Sequence, residues 1–119
     1  MPNNQFSFEN RDNSFLQELG NPAVFPIYAP LTGATIVAPT GQSRIMVNPA
    51  GTIAALTIRL PLNPIAGDMI DIGFTQIVTA LTLQNAAGVA IAGAPTSGAP
   101  GVSIGYTYVS ATQGWVRWR

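Results

Sequence analysis

From Leu31 onward, short runs of Val, Ile, Leu and Thr alternate with Gly, Pro, Asn and Ser. The runs recur about every ten residues, the texture of short β-strands joined by turns. The pattern predicts strands over residues 35–38, 43–47, 52–60, 68–74, 77–83, 89–91, 102–109 and 114–118. Within 52–60, Leu56, Ile58 and Leu60 share one parity and Thr57 and Arg59 the other. Within 68–74, Ile70, Ile72 and Phe74 point one way and Asp71 and Gly73 the opposite way. Each strand therefore has one face for a core and one for its surroundings. The segments Asn48-Pro-Ala-Gly51, Asn63-Pro-Ile-Ala-Gly67 and Asn85-Ala-Ala-Gly88 begin with Asn and end with Gly. Asn hydrogen-bonds its own turn backbone and Gly supplies a positive φ. Pro61, Pro64, Pro95 and Pro100 fall between strands, and the Gly/Pro/Ala-rich stretch 92–101 reads as a loop. No helix-period segment exceeds two turns, which disfavours a parallel α/β architecture. The expected fold is all-β, an antiparallel β-sandwich or jelly-roll-like barrel.

Residues 1–30 differ in texture. They hold Glu9, Asp12 and Glu18, three of the five acidic residues, and the separated aromatics Phe6, Phe8, Phe15, Phe25 and Tyr28. Only 14–19 could form a helical turn, with Ser14 as its cap, and it is too short to stand alone. Pro22, Pro26 and Pro30 then enforce extended backbone. The segment reads as an extended N-terminal arm (1–30) on a β body (31–119). Its aromatics mark it for contact with the body or with a neighbouring subunit, because disordered chains are aromatic-poor.

Charge sharpens this picture. Charged residues make up 8% of the 119, against about 25% in ordinary domains. Five positive residues, all Arg, balance five negative ones. So few charges imply a neutral polar surface or one covered by other subunits, and a homo-oligomer, most simply a trimer, is expected. The zero net charge and scattered Arg residues argue against a nucleic-acid partner. Residues 1–15 lack the basic start and apolar run of a secretory signal. No uninterrupted apolar run of about 18 residues occurs, so no transmembrane helix and no membrane partner are expected.

The chain has no Cys, His or Lys. It therefore lacks a thiolate nucleophile, the commonest general base and metal ligand, and a Schiff-base amine. Asp68 and Asp71 form the one close carboxylate pair, but on a strand they face opposite ways and cannot converge on one substrate. Asp68 follows Gly67 and is expected to fix a turn; Asp71 is expected on the outer face. No GxGxxG or Walker motif occurs. No enzyme activity, cofactor or metal is expected. The last two strands instead concentrate Tyr106, Tyr108, Trp115 and Trp118 beside Arg117, a composition typical of interaction hot spots. Trp115 and Trp118 differ in parity, so one belongs to the core and the other to the surface. Phe6, Phe8, Phe15, Phe25, Tyr28, Tyr108, Arg117 and Trp118 are the candidate interaction residues.

Three stretches carry a resemblance: Gly51-Thr-Ile-Ala-Ala-Leu-Thr-Ile-Arg-Leu-Pro61, Pro64-Ile-Ala-Gly-Asp68 and Thr79-Ala-Leu-Thr-Leu83. The ending Tyr106-Thr-Tyr108, then Gly114-Trp-Val-Arg117, adds to it. Together they resemble a small β module of tailed-bacteriophage and prophage proteins, found in tail-fibre, tail-associated and small capsid-associated proteins. The resemblance covers residues 45–119 and brings no catalytic residue. It implies a structural role in the virion, often as a trimer. A short chain that begins at Met1 with little beyond the module is expected to be a capsid decoration (cement) protein. Such a protein sits on the capsid surface, binds the major capsid protein of the assembled head and bridges capsomers. The alternative expectation is a tail-fibre or tail-tip structural or receptor-binding module, for which a glycan would be the partner and Trp118 and Tyr108 its contacts.

Overall fold

The computed structural model describes residues 25–118. Eight strands follow one another: β1 (Ile27–Tyr28), β2 (Ala34–Val37), β3 (Arg44–Val47), β4 (Ile53–Arg59), β5 (Met69–Phe74), β6 (Val78–Gln84), β7 (Ile104–Ser110) and β8 (Gly114–Arg117). No helix occurs among the described residues. The fold is all-β, as the apolar periodicity requires. Seven of the eight expected strands are present within a residue or two of their expected ends. The run at 89–91 contributes only an isolated bridge between Gln84 and Ala90.

The pairing departs from the expectation. The first seven strands alternate between two open sheets, β1-β3-β5-β7-β8 and β2-β4-β6, and β8 stays in the larger one. β1–β3, β3–β5, β2–β4 and β4–β6 are all parallel; only β5–β7 and β7–β8 are antiparallel. The expected antiparallel arrangement is thus overturned over the first six strands, and neither sheet closes into a barrel. The reason lies in the connections. Residues 48–52 and 60–68, read from their Asn and Gly as turns, do not fold a strand back onto its neighbour. They carry the chain across to the other sheet, and the next strand returns beside its predecessor in the same direction. The crossover that a parallel pair needs is supplied by a strand of the opposite sheet. The chain winds as a coil, laying one strand in each sheet per turn.

Register stacks like residues. Ile45, Ile72 and Ile104 are aligned across the larger sheet, and Ile36, Ile58 and Leu83 across the smaller one. All six are buried and belong to one core cluster fed by both sheets. Each buried aliphatic side chain of this size contributes about 1.5–3 kcal/mol. The opposite face of the smaller sheet carries the aligned row Thr35, Thr57 and Thr82. β-branched residues suit that pleated surface, and their hydroxyls tolerate exposure.

Two features of the coil position the candidate site. First, the 89–98 segment lies along the outer edge of β6: Ile91 N–H donates to Leu83 O, Leu81 N–H to Thr96 O, and Val78 and Gly98 exchange two backbone bonds. It covers an edge that would otherwise be an unpaired row of donors and acceptors. Second, β7 and β8 add two antiparallel strands to one end of the larger sheet. Ile27–Tyr28, inside the segment read as arm, pairs with β3 and forms the far edge of the larger sheet.

Candidate functional site

Residues of β7 and β8 line a recess of about 630 Å³, within the ~300–1,000 Å³ range of ligand pockets. Strand alternation brings Tyr108, Trp115 and Arg117 to its inner side, and the 61–64 and 85–92 segments wall it. The Tyr108 and Trp115 rings meet edge to face, centroids 5.4 Å apart and planes at 65°. Such a pair adds about 0.5–1.5 kcal/mol beyond the area it buries. Trp115 is buried, and Tyr108 packs half-buried against the core. Leu62 and Val89, each more than half exposed, flank the opening.

The 85–92 wall is held by Asn85. Its side-chain oxygen accepts from Ala87 N–H at 2.9 Å and from Val89 N–H at 3.0 Å. Gly88 sits at φ +86°, a left-handed conformation that favours glycine. Arg59 lies behind this turn, its Nε donating to Gln84 Oε1 at 3.0 Å. Among the described residues, Arg117 is the one charged side chain in the lining. Its charge also reaches Tyr106, whose phenol is pushed up by burial and drawn partly back by Arg117. The Tyr106 hydroxyl is buried and makes no hydrogen bond.

A smaller recess of about 250 Å³ adjoins the first, sharing Pro61 and Trp115 and lined by Asp68. Asp68 Oδ2 accepts from Ile65 N–H at 3.0 Å, which closes the turn that Gly67 completes at φ +94°. This is the turn-fixing role its position after Gly67 suggested. Asp71 lies within β5, half-buried on the face away from the core and aligned with Arg44. Among the described residues, no three His, Cys, Asp or Glu side chains group to hold a metal. The larger recess offers aromatic surface, small apolar side chains, amides and one guanidinium, which suits it to holding a ligand or a peptide segment.

The eight sequence-derived candidates fall in different places. Tyr108 and Arg117 come together in the recess. Trp118 does not join them: its N–H continues the ladder to Gly105 O, its side chain takes the opposite parity from Trp115 and Arg117, and it is 69% exposed. Phe25 is half-buried, and Tyr28 packs against the core from β1, at the sheet edge opposite β8. Phe6, Phe8 and Phe15 lie outside the described residues. Trp115, Asn85 and Gln113 belong to the site without having been singled out for it. Parity with Arg117 could have flagged Trp115. Nothing local marks the Asn85 turn as a wall of the recess.

No family model matches the chain, and no curated protein matches it. A solved chain from "Structure of a chaperone-substrate complex" is similar at 20% identity with a TM-score of 0.43. That likeness covers 79% of this chain and 16% of the solved one. A likeness this slight does not extend to function.

Proposed function

We propose that the protein is a bacteriophage capsid decoration (cement) protein, a homo-oligomer, most simply a trimer, that binds the assembled head and bridges capsomers. In this reading the two sheets are the layers of a sandwich-like body, the residues that precede β1 serve as the arm, and the major capsid protein is the partner. The observation that carries it is the character of the surface. Among the described residues only Arg44, Arg59, Arg117, Asp68 and Asp71 are charged, while twelve large apolar side chains are exposed. Monomeric surfaces ordinarily carry charge on about a quarter or more of their residues. A surface this neutral and apolar suits close packing against neighbours, because copies add little repulsion to one another. Several weak contacts per oligomer then give strong overall attachment through multivalency.

Electron microscopy of the particle tests this reading. Density repeating over the capsid lattice, and shells that fail under milder heating when the protein is missing, are the expected results. Density confined to the tail would overturn it in favour of a tail-fibre or tail-tip receptor-binding module. The recess with Tyr108 and Arg117 is the observation that favours this second reading. It would then hold a host glycan, and Tyr108→Leu would abolish glycan binding.

A further inference from the structure

We propose that the open edge of β2 is a strand-acceptor site, and that residues 14–20 of the same chain occupy it as a parallel fourth strand of the smaller sheet. The inference does not depend on the decoration reading. It leaves residues 1–13, with Phe6 and Phe8, as the part of the arm that reaches outward.

The acceptor is an edge that the described residues leave unpaired. β2 is the outermost strand of the smaller sheet and pairs on one side with β4. Ala38 N–H donates to Arg59 O at 2.9 Å, so the backbone groups of the even-numbered residues serve β4. Those of Thr35 and Val37 point the other way, and no strand among the described residues meets them there. The opposite edge of the sheet, along β6, is covered by 89–98. An edge left bare is a template for pairing with other chains.

Proline names the occupant. Each of the first four strands ends two residues before a proline: Tyr28 before Pro30, Val37 before Pro39, Val47 before Pro49 and Arg59 before Pro61. Proline has no N–H for the ladder and holds the residue before it extended, so the chain leaves the sheet there. The register stacks these strand ends, Val37 beside Arg59 in the smaller sheet and Tyr28 beside Val47 in the larger one. Pro22 has the same setting. It precedes Ile27, the start of β1, by five residues; Pro30, Pro39 and Pro49 precede the next strand by four or five, and Pro61 by eight. A strand ending at Gly20 fits this rule. It belongs in the smaller sheet, because successive strands of the coil change sheets. Aligning Pro22 with Pro39 sets Leu19 beside Ile36 and Glu18 beside Thr35. Leu19 then continues the buried row Ile36, Ile58 and Leu83, and Glu18 joins the outer row Thr35, Thr57 and Thr82. A helical turn over 14–19 is too short to compete.

Chain length makes the donor the same copy. The crossovers between the first six strands hold three to nine residues, and 21–26 holds six. Six residues span at most about 21 Å, against about 10 Å between packed sheets. The tether therefore keeps the segment within reach of its own β2, at a local concentration of about a millimolar. A second copy at micromolar concentration is outcompeted.

Engineered cysteines in the full-length protein test both the site and its donor, since the chain has none of its own. Aligned residues of adjacent strands lie about 4.8 Å apart, within disulfide reach. Glu18→Cys with Thr35→Cys should oxidise to a monomer-sized product on non-reducing gels, with the 18–35 linkage mapped by mass spectrometry. Glu18→Cys with Thr57→Cys, one strand further, should give at least tenfold less. An equimolar mixture of the single variants Glu18→Cys and Thr35→Cys should give no 18–35 linkage between chains. Hydrogen exchange needs no cysteine. The Thr35 and Val37 amides of the unaltered protein should exchange at least tenfold more slowly than those of Leu19→Asp, with exchange at Ile58 unchanged. Absence of the 18–35 linkage, its formation between chains in the mixture, or equal exchange at Thr35 and Val37 in the two proteins would each overturn the proposal.

Discussion

A methyl group placed on Gly98 would stand 2.6 Å from Cε2 of the Phe74 ring. Gly98 is the residue whose backbone exchanges two hydrogen bonds with Val78 and so fastens the 89–98 segment to the edge of β6. Phe74 is a buried member of the core, at the end of β5 in the other sheet. The edge cover of one sheet is thus seated directly on a core side chain of the other, and only a residue without Cβ permits the approach.

Gly98→Ala is therefore expected to destabilise the protein by about 1–3 kcal/mol through overpacking. Chemical denaturation measures the loss. Combining Gly98→Ala with Phe74→Leu should recover part of it, since residues in contact couple and distant ones do not. Additive effects of the two changes would show that the approach is not the cause.

Asn85→Ala removes the acceptor shared by the Ala87 and Val89 amides. Neutral hydrogen bonds contribute about 0.5–1.5 kcal/mol each, so a total loss of about 1–2 kcal/mol is expected. Faster amide exchange should be confined to 85–92. Asn85→Asp keeps the accepting oxygen and should retain most of the stability.

Tyr106 gives a dependence on alkaline pH. Its phenol is raised by burial, the larger effect, and lowered in part by Arg117. The unfolded chain, with an ordinary value of about 10, therefore releases this proton before the folded one does. The contribution to stability is complete below about pH 10 and is lost as the pH climbs from there through the raised folded value. Tyr106→Phe should remove this component of the alkaline slope. It also deletes a buried hydroxyl that has no hydrogen-bond partner, so stability at neutral pH should rise by about 1 kcal/mol.

The aligned rows predict a contrast between adjacent residues of β4. Ile58→Ala empties the centre of the Ile36–Ile58–Leu83 row and should cost about 2–5 kcal/mol. Thr57→Ala, one position earlier on the opposite face, should change stability by about 0.5 kcal/mol or less. Comparable losses from both would contradict the facing that the register assigns.

Two residues of the recess were visible before the fold. Tyr108 and Arg117 were picked out from the aromatic and cationic ending of the chain, and they line one recess. Trp118, picked out with them, points away, because successive strand residues alternate faces and the recess lies on the side of Trp115. Asn85 was read correctly as a turn former, yet its part in walling the recess depends on 85–92 meeting Tyr108 and the side chains of β8, which come much later in the chain.

Alternation is local, and it determined what local information can. The parity of Leu56, Ile58 and Leu60, and of Ile70, Ile72 and Phe74, marked the buried faces of β4 and β5, because a strand alternates whatever it pairs with. The Asn and Gly residues marked where the chain changes direction, because their preferences act within a few residues. Where the chain goes after such a change is not local. An Asn–Gly turn that closes a hairpin and one that arches across to a second sheet draw on the same residues. The tertiary structure chose the arch, because only that path sets Ile45 beside Ile72 and Ile36 beside Ile58 and buries both rows in one core. The parallel winding of the first six strands and the core shared by the two sheets follow from that choice.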